Sequence, residues 1–586
     1  MCQFFFADNS QESLGLVRNT GIRVFFLSCF AFSDYAMAQV GEAERRRDLF
    51  EKRELQKRIE EFQGRERERV IEDDSVVAEG RHVDISSESR FLIRKIEIVR
   101  DGTPLSLDES KIITPYVGIE LGVSEIFSLV ENLTNYYVEN GYSTTLVKVN
   151  PQNLSSGTLT LEVSWGRIEG VLLNGESPSF IRDRLSLFSA YPWAQEKKLN
   201  IHDVDQMVEN LSTKGKSVNV KVIPSERDGY SYLNVRREKL RPWAFILGAD
   251  NSGDKETGEY QHNVSLAMSD AMGVNDTLSL YLARQDYKDS DTYLREIYDL
   301  GYSLPVGFWK LSLKGNFSKT QTPVGDYSSE GESEKLSVGL ERVFRRGQSG
   351  KWSVFGGIDK KRTENIFIID DDTEIILDDS SNAFTHLSLG GRYVGRALGG
   401  FLYGDLSIVQ GASWFNADID VGRGQDDSGQ AGFRKYKGNF NWSWNAARSP
   451  IEYRLSAGWQ YSPDRLLAQD SLILGDEYTV RGFKGASMSI EGDLGGYLSN
   501  TVSFSLPVGK KYLNQVSPFI GADIGWARKH RRGSVGAEVR KIAGATLGLK
   551  IDGANYQFSS TFGFPVSNPN DFDPGYVLYM DVGMSF

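Results

Sequence analysis

The chain ends in the stretch YVLYMDVGMSF (residues 576–586), in which large apolar residues alternate with small or polar ones. The apolar positions are Tyr576, Leu578, Met580, Val582, Met584 and Phe586. The other face carries Asp581, Gly583 and Ser585. Since successive side chains of a strand point to opposite faces, the pattern predicts one strand of a membrane β-barrel wall. A terminal aromatic such as Phe586 is typical of the assembly signal of outer-membrane barrels, so we expect the barrel assembly machinery as a partner.

The same alternation continues upstream to about residue 238. Residues 277–282, 309–314 and 439–445 alternate in this way, and Gly, Asp, Asn and Ser separate such stretches. A soluble β-sandwich also alternates. It rarely places Trp and Tyr so regularly at strand ends, where a membrane barrel carries its interfacial belts. We therefore predict about sixteen transmembrane strands over residues 238–586.

The preceding region divides into two mixed units, residues 90–166 and 167–237. The first contains a predicted helix from Phe127 to Asn140 and a strand in which Leu159 and Leu161 alternate with polar residues, so one strand face is buried. The second unit repeats this order of helices and strands. Each is small for a lone domain but adequate as a stacked module. The predicted fold class is mainly β, a barrel preceded by two small α/β domains.

The first 38 residues are predicted to be a secretory signal peptide. Basic residues precede a short apolar run, and Ala36-Met37-Ala38 matches an A-x-A cleavage site. The run is too short to span a bilayer as a helix. The alternatives are a buried helix of a cytosolic protein and a lipoprotein site at Cys29. Because the stretch before the run is unusually long for a signal, the translation start stays open.

A charged helical stretch follows at residues 39–64, and a polar linker at residues 65–89. In the helix, acidic residues stand four positions before basic ones, which is the stabilising order. Leu55, Ile59 and Phe62 share one face. From the pattern alone, this helix is interpreted as solvated or as part of a coiled coil.

Composition and motifs argue against several classes of function. The formal net charge of −12 does not suit nucleic-acid binding. Both cysteines, Cys2 and Cys29, precede the predicted cleavage site, so the processed chain would hold no disulfide and no thiolate site. The five histidines are scattered, and neither a phosphate-binding loop nor an HExxH motif occurs. We expect no enzyme, no metal and no cofactor. The acidic stretch Asp370–Asp372 is interpreted as a solvated hairpin, with weak calcium binding as the alternative.

Several stretches match motifs of one known family. They are NGYSTT (140–145), PQNLSSGTL (151–159) and GRIEG (166–170), and further along Pro242-Trp243 and DNSG (250–253). The first three are similar to the first polypeptide-transport-associated (POTRA) domain of the two-partner secretion transporters, and the others resemble the first barrel strand of that family. These transporters belong to a superfamily of barrel insertases and export haemolysins, filamentous haemagglutinins and contact-dependent toxins. The resemblance implies a barrel in the outer membrane of a Gram-negative bacterium, surrounded by lipid, with two periplasmic POTRA domains.

A further stretch, LGDEYTVRGF (474–483), looks like the loop that these barrels fold back into their lumen, here expected at about residues 462–495. Its tip reads Val480, Arg481, Gly482 and Phe483, where Phe483 replaces the commoner tyrosine. The resemblance pairs Arg481 with the wall residue Asp523. A planar guanidinium can hold a carboxylate bidentately, and Gly482 permits a tight turn. Two interpretations stay open, a conformational anchor and a brace that only stabilises the barrel.

The resemblance also changes the interpretation of the charged helix. In relatives a helix at this position plugs the lumen at rest, and a helix that is polar nearly all round suits a water-filled pore as well as it suits solvent. In the POTRA domains, the expected contacts with a substrate are Gly141, Tyr142, Leu159, Leu161 and Arg167. The second domain departs from the family at residues 209–217, ENLSTKGKS, where an asparagine-rich helix usually ends in an Arg-Leu-Pro-Ser-like turn.

The function implied by the resemblance is export without ATP. The barrel would thread an unfolded exoprotein, recognised in the periplasm by the POTRA domains, to the cell surface. The expected partner is that adhesin, haemolysin or toxin, and no nucleic acid. One alternative is a general insertase or assembly factor, which usually carries more periplasmic repeats. The other is a passive porin, which would need neither the repeats nor the Val480–Gly482 tip.

Overall fold

The computed structural model describes the chain from the charged helix to the C-terminus, with gaps. The described residues are 45, 47–64, 90–102, 107–213, 216–239, 241–253, 259–285, 294–324, 327–368, 376–419, 429–446, 449–530, 538–572 and 575–586. The predicted signal peptide, the linker at 65–89 and Asp370–Asp372 lie outside them. The first element, helix α1, covers residues 47–64. None of the described helices is both long and apolar enough to cross a membrane.

The first α/β domain has a three-stranded sheet in the order β2-β5-β4, a separate β1–β3 pair and one long helix. Its elements are β1 (Phe91–Ile93), β2 (Lys95–Arg100), α2 (Ser110–Ile113), β3 (Ile119–Leu121), α3 (Val123–Glu139), β4 (Leu146–Lys148) and β5 (Thr158–Ser164). Helix α3 begins at Val123, before the predicted Phe127, because Glu125 accepts a hydrogen bond from the Gly122 N–H at 2.9 Å and caps it. Its buried face packs on β5 to form the core.

The second α/β domain has the sheet order β6-β8-β7, with two helices in its core. Its elements are β6 (Arg167–Leu173), α4 (Ile181–Ala190), α5 (Ile201–Leu211), β7 (Lys216–Pro224) and β8 (Tyr230–Lys239). Asn200 caps α5 by accepting a hydrogen bond from the His202 N–H at 2.9 Å. The last strand of this domain ends at Lys239, shortly before the first strand of the barrel begins.

The remaining strands form one closed, antiparallel barrel. Its strands are β9 (Trp243–Asp250), β10 (Gln261–Ser269), β11 (Thr277–Gln285), β12 (Leu294–Val306), β13 (Trp309–Val324), β14 (Tyr327–Gly347), β15 (Gly350–Ile368), β16 (Ile376–Ala397), β17 (Gly400–Ala412), β18 (Arg434–Asn445), β19 (Ile451–Tyr461), β22 (Leu494–Phe504), β23 (Leu506–Lys510), β24 (Leu513–Arg528), β25 (Val539–Gly553), β26 (Tyr556–Ser567) and β27 (Val577–Ser585). Two short strands, β20 (Leu472–Leu474) and β21 (Ile490–Gly492), pair only with each other among the described residues.

The barrel has sixteen strand positions, because β22 and β23 are separated only by Ser505 and pair with the same strand. It closes where β27 pairs with β9, from Asp581↔Asp250 to Ser585↔Ile246. At this seam the N–H of Phe586 donates to the Phe245 carbonyl at 2.9 Å. The predicted fold class is confirmed.

The two faces of the wall differ as the alternation predicts. Large apolar side chains such as Leu278, Trp309 and Leu313 are exposed on the outside. Polar side chains between them, such as Asn263 and Asp581, point inward, where both contact other lumenal groups. Since about ten residues suffice to cross a bilayer as a tilted strand, the 21-residue strand β14 and the 22-residue strand β16 extend well beyond it.

Candidate functional site

Residues 462–495, called here the lumen loop, join β19 to β22 and fold back into the barrel. Their hairpin of β20 and β21 brings Leu474 opposite Ile490. In the segment that connects these two strands, residues 480–483, called the loop tip, contact the inner wall at β24, β25 and β26. The predicted tip and its predicted wall partner are therefore close in space.

Arg481 joins the loop tip to Asp523 on β24 by a bidentate pair. Its Nε donates to one carboxylate oxygen at 2.7 Å and its Nη2 to the other at 2.8 Å. The backbone N–H of Arg481 donates to the same carboxylate at 2.9 Å, and the Asn500 carbonyl accepts from the guanidinium at 3.1 Å. Asp523 is 1% exposed and Arg481 9%. Removing one partner of such a buried pair leaves the other charge buried without compensation, which lowers the free energy of unfolding by roughly 3–5 kcal/mol.

Glycines on three neighbouring wall strands leave the recess that the loop tip fills. A Cβ on Gly544 of β25 would lie 1.8 Å from the Arg481 carbonyl oxygen. A Cβ on Gly521 of β24 would lie 2.3 Å from its guanidinium, and one on Gly563 of β26 would lie 2.7 Å from the Gly482 nitrogen. These wall glycines were not predicted from the sequence. Gly544 lies directly opposite Asp523 on the neighbouring strand, so a prediction of strand register could have identified it.

Gly482 and Phe483 make the remaining contacts of the loop tip with the wall. Gly482 has a φ of +107°, and a Cβ there would lie 2.9 Å from the backbone of Phe564. Phe483 is fully buried in a cluster with Leu474, Val480 and Ile542, and its carbonyl accepts a hydrogen bond from Tyr579 at 2.5 Å. A phenyl ring leaves no hydroxyl to satisfy in a site that is closed to water.

Helix α1 lies inside the barrel and contacts its wall through a few apolar side chains. Phe50 packs against Tyr281 of β11, with the ring centroids 4.7 Å apart. About two and a half turns further on, Ile59 is buried against Phe401 and Tyr403 of β17. Because these contacts are made with separate parts of the wall, the helix extends across the lumen.

The charges of α1 contact charges of opposite sign around the wall. Arg53 reaches Asp250 of β9 at 3.0 Å and Asp581 of β27 at 2.6 Å. Other pairs are Glu51 with Lys335 at 2.7 Å and Glu60 with Arg454 at 3.2 Å. The acids of these two pairs are 50% and 42% exposed. Such water-accessible pairs contribute only about 0–1 kcal/mol each. The pattern interpreted from sequence as a solvated helix therefore matches a polar lumen.

Lys52 connects α1 directly to the lumen loop. Its Nζ lies 2.9 Å from an Asp476 carboxylate oxygen and donates to the Ile473 carbonyl at 3.0 Å. Asp476 stands four residues before Val480 in the loop tip. The two lumenal elements thus touch each other, although each also has its own contacts with the wall.

Two of the residues predicted to contact a substrate cannot do so directly. Leu159 and Leu161 are fully buried in the core of the first domain, where they face α3. This part of the prediction is wrong, because the apolar face of β5 is the face that the helix covers. The alternation in the sequence already indicated that burial.

Gly141, Tyr142 and Arg167 instead form the joint between the two α/β domains. The Gly141 carbonyl accepts a hydrogen bond from the Ile201 N–H at 2.8 Å, and a Cβ at Gly141 would lie 2.5 Å from Asn200. Arg167 pairs with Asp101 of the first domain. The structure thus places these three residues between the domains, and their role in substrate docking stays a prediction.

Trp165, which the sequence analysis did not single out, lies at the centre of this joint. Its ring meets Tyr142 edge-on at 5.1 Å and Tyr137 at 5.3 Å. The ammonium of Lys198, from the second domain, sits 4.2 Å from the indole centroid. The two domains are therefore held in a defined relative orientation.

Residues 206–210 of α5 dock the second domain onto the turns at the near end of the barrel. Glu209 pairs with Arg346 at 2.5 Å and with Lys351, and Asn210 donates to the Gly307 carbonyl at 2.7 Å. Burial alone would raise the pKa of Glu209, but the two cations outweigh it and hold that pKa well below its ordinary value. The Lys351 ammonium also lies 5.0 Å from the ring of Phe62 on α1. The segment that departs from the family motif thus begins at a docking contact.

Comparisons with protein families agree with this architecture. The family described as haemolysin secretion/activation protein ShlB/FhaC/HecB matches residues 229–551. A POTRA domain of ShlB type matches residues 91–166, and a second POTRA domain matches residues 167–222. The two α/β domains are therefore POTRA domains, called POTRA 1 and POTRA 2 from here on.

Individual proteins agree as well. The outer membrane transporter CdiB of Dickeya dadantii (strain 3937) is 26% identical over 97% of this chain and 99% of its own length. The hemolysin transporter protein ShlB of Serratia marcescens is 29% identical over 69% of this chain and 70% of its own. A solved structure of CdiB from Escherichia coli superposes with a TM-score of 0.79 at 25% identity, covering 93% of this chain and 98% of that one. The chain belongs to the ShlB/FhaC/HecB family of haemolysin secretion/activation proteins and is an outer-membrane β-barrel with two POTRA domains.

Proposed function

We propose that this protein exports an unfolded exoprotein across the outer membrane, as the transporter of a two-partner secretion system. One observation carries the proposal. The lumen holds a helix whose wall pairs include water-accessible ones at Glu51 and Glu60, whereas the ion pair of the neighbouring loop tip is almost fully buried in a recess of the wall. A pore with one removable and one permanent occupant suits a channel that opens for a client.

Recognition of the exoprotein would take place at free sheet edges of the POTRA domains. Among the described strands, β2 pairs only with β5, and β7 pairs only with β8. Exposed apolar side chains lie on these edges, namely Val99 on β2 and Val222 and Ile223 on β7. An extended polypeptide can add to such an edge through main-chain hydrogen bonds and place alternate side chains against the sheet. Of the five residues predicted from the resemblance, Leu159 and Leu161 lie on β5, the strand that pairs with β2, and would support that edge from the core.

Opening would consist of the departure of α1 from the lumen. The exposed pairs of Glu51 and Glu60 exchange a protein charge for water at little cost. The two pairs of Arg53 would have to break as well, and among the described residues of this helix the buried apolar side chains are those of Phe50 and Ile59. The link from Lys52 to Asp476 would break at the same step, leaving the lumen loop free to adjust while Arg481 stays on Asp523. The Lys351 contact with both Glu209 and Phe62 offers a route by which a client on POTRA 2 affects the end of α1.

Movement outward would need no nucleotide. The exoprotein would enter unfolded, and its folding at the cell surface would disfavour return, because retraction would require unfolding it again. The class of partner is therefore a long secreted protein, such as an adhesin, a haemolysin or a contact-dependent toxin. Insertion of the transporter itself would depend on the barrel assembly machinery, with Phe586 at the seam as the recognised terminus.

The experiment is co-expression with a large exoprotein gene encoded nearby, with assay of the exoprotein on the cell surface and in the medium. We expect export by the wild type and loss of export when residues 90–237 are deleted from a barrel that still inserts. Export that survives this deletion would contradict docking on the POTRA domains. No export by the wild type, together with a general defect of other outer-membrane proteins on depletion, would favour the insertase alternative.

A further inference from the structure

Helix α4 of POTRA 2 carries an apolar face that no described part of the protein covers. Ile181, Leu185 and Phe188 stand at positions i, i+4 and i+7 and form one stripe. Phe180 and Trp193 extend the stripe at its two ends, and they are 73% and 75% exposed. Phe188 and Trp193 meet edge-on, with the ring centroids 5.3 Å apart. Exposed aromatic and aliphatic groups in such continuity mark an interaction surface.

The adjacent side of the same helix is fixed to the rim of the barrel. Ser186 and Ser189 exchange hydrogen bonds with Asn275 in the turn between β10 and β11, at 2.7–2.8 Å. Ser189 also donates to the Val274 carbonyl at 2.9 Å and accepts from the Gly307 N–H, in the next turn, at 2.7 Å. The helix therefore lies along the two turns, at the level where the barrel leaves the bilayer.

The apolar stripe is continuous with the lipid-facing surface of the barrel. Arg182 lies against Gly273, beside Met272, which is 72% exposed. The sulfur of Met272 accepts a hydrogen bond at 3.5 Å from Tyr302, and Tyr302 follows Tyr298 and Leu300 on the outward face of β12. Trp309, on the next strand, is also exposed outward. Tyr and Trp in this position form the interfacial belt of a membrane barrel.

The charges around the stripe fit a phospholipid surface. Arg182 and Arg184 flank it on the exposed side of α4. The Arg182 side chain is 62% exposed and pairs with Asp270 at 3.6 Å, and Arg184 donates to the Pro178 carbonyl at 2.9 Å. A short amphipathic helix with aromatic residues on one face and arginines beside them lies in the interface of a bilayer, its apolar face at the acyl boundary and its guanidinium groups at the phosphates.

We propose that α4 of POTRA 2 inserts its face of Phe180, Ile181, Leu185, Phe188 and Trp193 into the periplasmic leaflet of the outer membrane. The occupant of this surface is lipid, because the face adjoins the lipid-facing wall. The contact would hold POTRA 2 at a fixed height below the pore. This inference needs only the outer-membrane location and not the export mechanism, so the two can fail separately.

The test uses the full chain in nanodiscs of phosphatidylethanolamine and phosphatidylglycerol. Since the only two cysteines are Cys2 and Cys29, replacing them gives a background for a single fluorescent label. The test variant is Leu185→Cys, and the matched control is Phe127→Cys, an exposed apolar position on α3 of POTRA 1. Each is measured with nitroxide lipids labelled either on the headgroup or on the acyl chain near the glycerol.

We expect the label at position 185 to be quenched more by the acyl-chain nitroxide than by the headgroup nitroxide, and the label at 127 by neither. Stronger quenching by the headgroup nitroxide, or equal behaviour of the two positions, would overturn the proposal. A label at 185 that is unquenched in lipid and shifts to the blue only when unfolded exoprotein is added would assign the face to the client instead. As a second measurement, the exposed double variant Leu185→Asp, Phe188→Asp should lose membrane protection of α4 in hydrogen exchange while the core of POTRA 2 stays protected.

Discussion

The loop tip and helix α1 occupy the same lumen but are held in opposite ways. At the tip, one bidentate ion pair is almost fully buried, and wall glycines bring the backbone into contact with the strands. Along α1, the acids of the Glu51 and Glu60 pairs are 50% and 42% exposed, and Phe50 and Ile59 are the buried apolar side chains among its described residues. A buried pair resists removal of either partner, whereas an exposed pair yields to water at little cost.

The two kinds of contact indicate which occupant of the lumen can move. An element designed to leave should have many weak, wet contacts, and an element designed to stay should have a few dry ones with close backbone approach. The contact of Lys52 with Asp476 is the place where the two elements meet.

The largest effect is expected for Arg481→Ala. The substitution leaves Asp523 buried without a cation, so we expect a loss of about 3–5 kcal/mol in the free energy of unfolding. Thermal unfolding of the purified barrel, followed by its shift in electrophoretic mobility on heating, measures this. The control is Arg481→Ala with Asp523→Ala, which removes both charges and should recover a large part of the loss. Equal stability of the single variant and the wild type would mean that the pair contributes nothing.

The second effect concerns the recess in the wall. A methyl group at Gly544 would meet the Arg481 carbonyl at 1.8 Å, so Gly544→Ala should displace the loop tip and cost about 1–3 kcal/mol through overpacking. Gly315→Ala is the matched control, because it lies in wall strand β13 and a Cβ there meets no atom within 4 Å. Limited proteolysis of the lumen loop would detect the displacement. Identical cleavage of the two variants would show that the recess is not needed.

A smaller effect is expected for Arg53→Ala. This arginine contacts two wall acids, and its loss should weaken retention of α1 by about 1–2 kcal/mol, a roughly 5- to 30-fold rise in the open fraction. Single-channel conductance in planar bilayers reports that fraction. Lys57→Ala serves as the control, since the described ion pair of Lys57 is with Glu54 of the same helix. If both variants open equally, the wall pairs do not hold the helix.

The smallest effect is a pH dependence at the POTRA 2 docking contact. Arg346 and Lys351 lower the folded-state pKa of Glu209, so its contribution is complete above the ordinary glutamate pKa of about 4.3 and is lost as pH falls through the lowered value. The protection of the α5 amides, taken as their exchange rate relative to the intrinsic rate at the same pH, should therefore fall in strong acid for the wild type. Glu209→Gln should already exchange faster at neutral pH, by a few-fold, and lose this acid response. The exposed Glu131→Gln should behave as the wild type, and an unchanged response in Glu209→Gln would contradict the assignment.

Much of the fold follows from the sequence, because a strand in a barrel wall repeats every two residues. The alternation in residues 576–586 is the alternation of lipid and lumen contacts that β27 makes, with Asp581 facing inward to Arg53. The start of α3 could not be placed from apolar spacing, since Gly122 carries no side-chain cap and its N–H bonds to Glu125 instead.

The site was less accessible to sequence reasoning. The pairing of Arg481 with Asp523 came from a family resemblance, because no local pattern links residues 42 positions apart. The charges of α1 do not predict whether the helix lies in the lumen or in solvent, since a polar lumen and bulk water favour the same pattern of polar residues. Gly141 and Arg167 were predicted at a substrate surface and lie at a domain joint, because a motif shows which positions are special without showing what they touch.

The central claim is that α1 leaves the lumen while the loop tip stays, and site-specific photocrosslinking during stalled export tests it most directly. A photoreactive phenylalanine analogue at Phe50 and, separately, at Phe483 reports contact with the wall before and after a client is arrested in the pore. We predict that the crosslink from position 50 to the β11 wall disappears with the client in place, while position 483 still crosslinks to the wall. Retention of the crosslink at 50, or loss of both, would contradict the account.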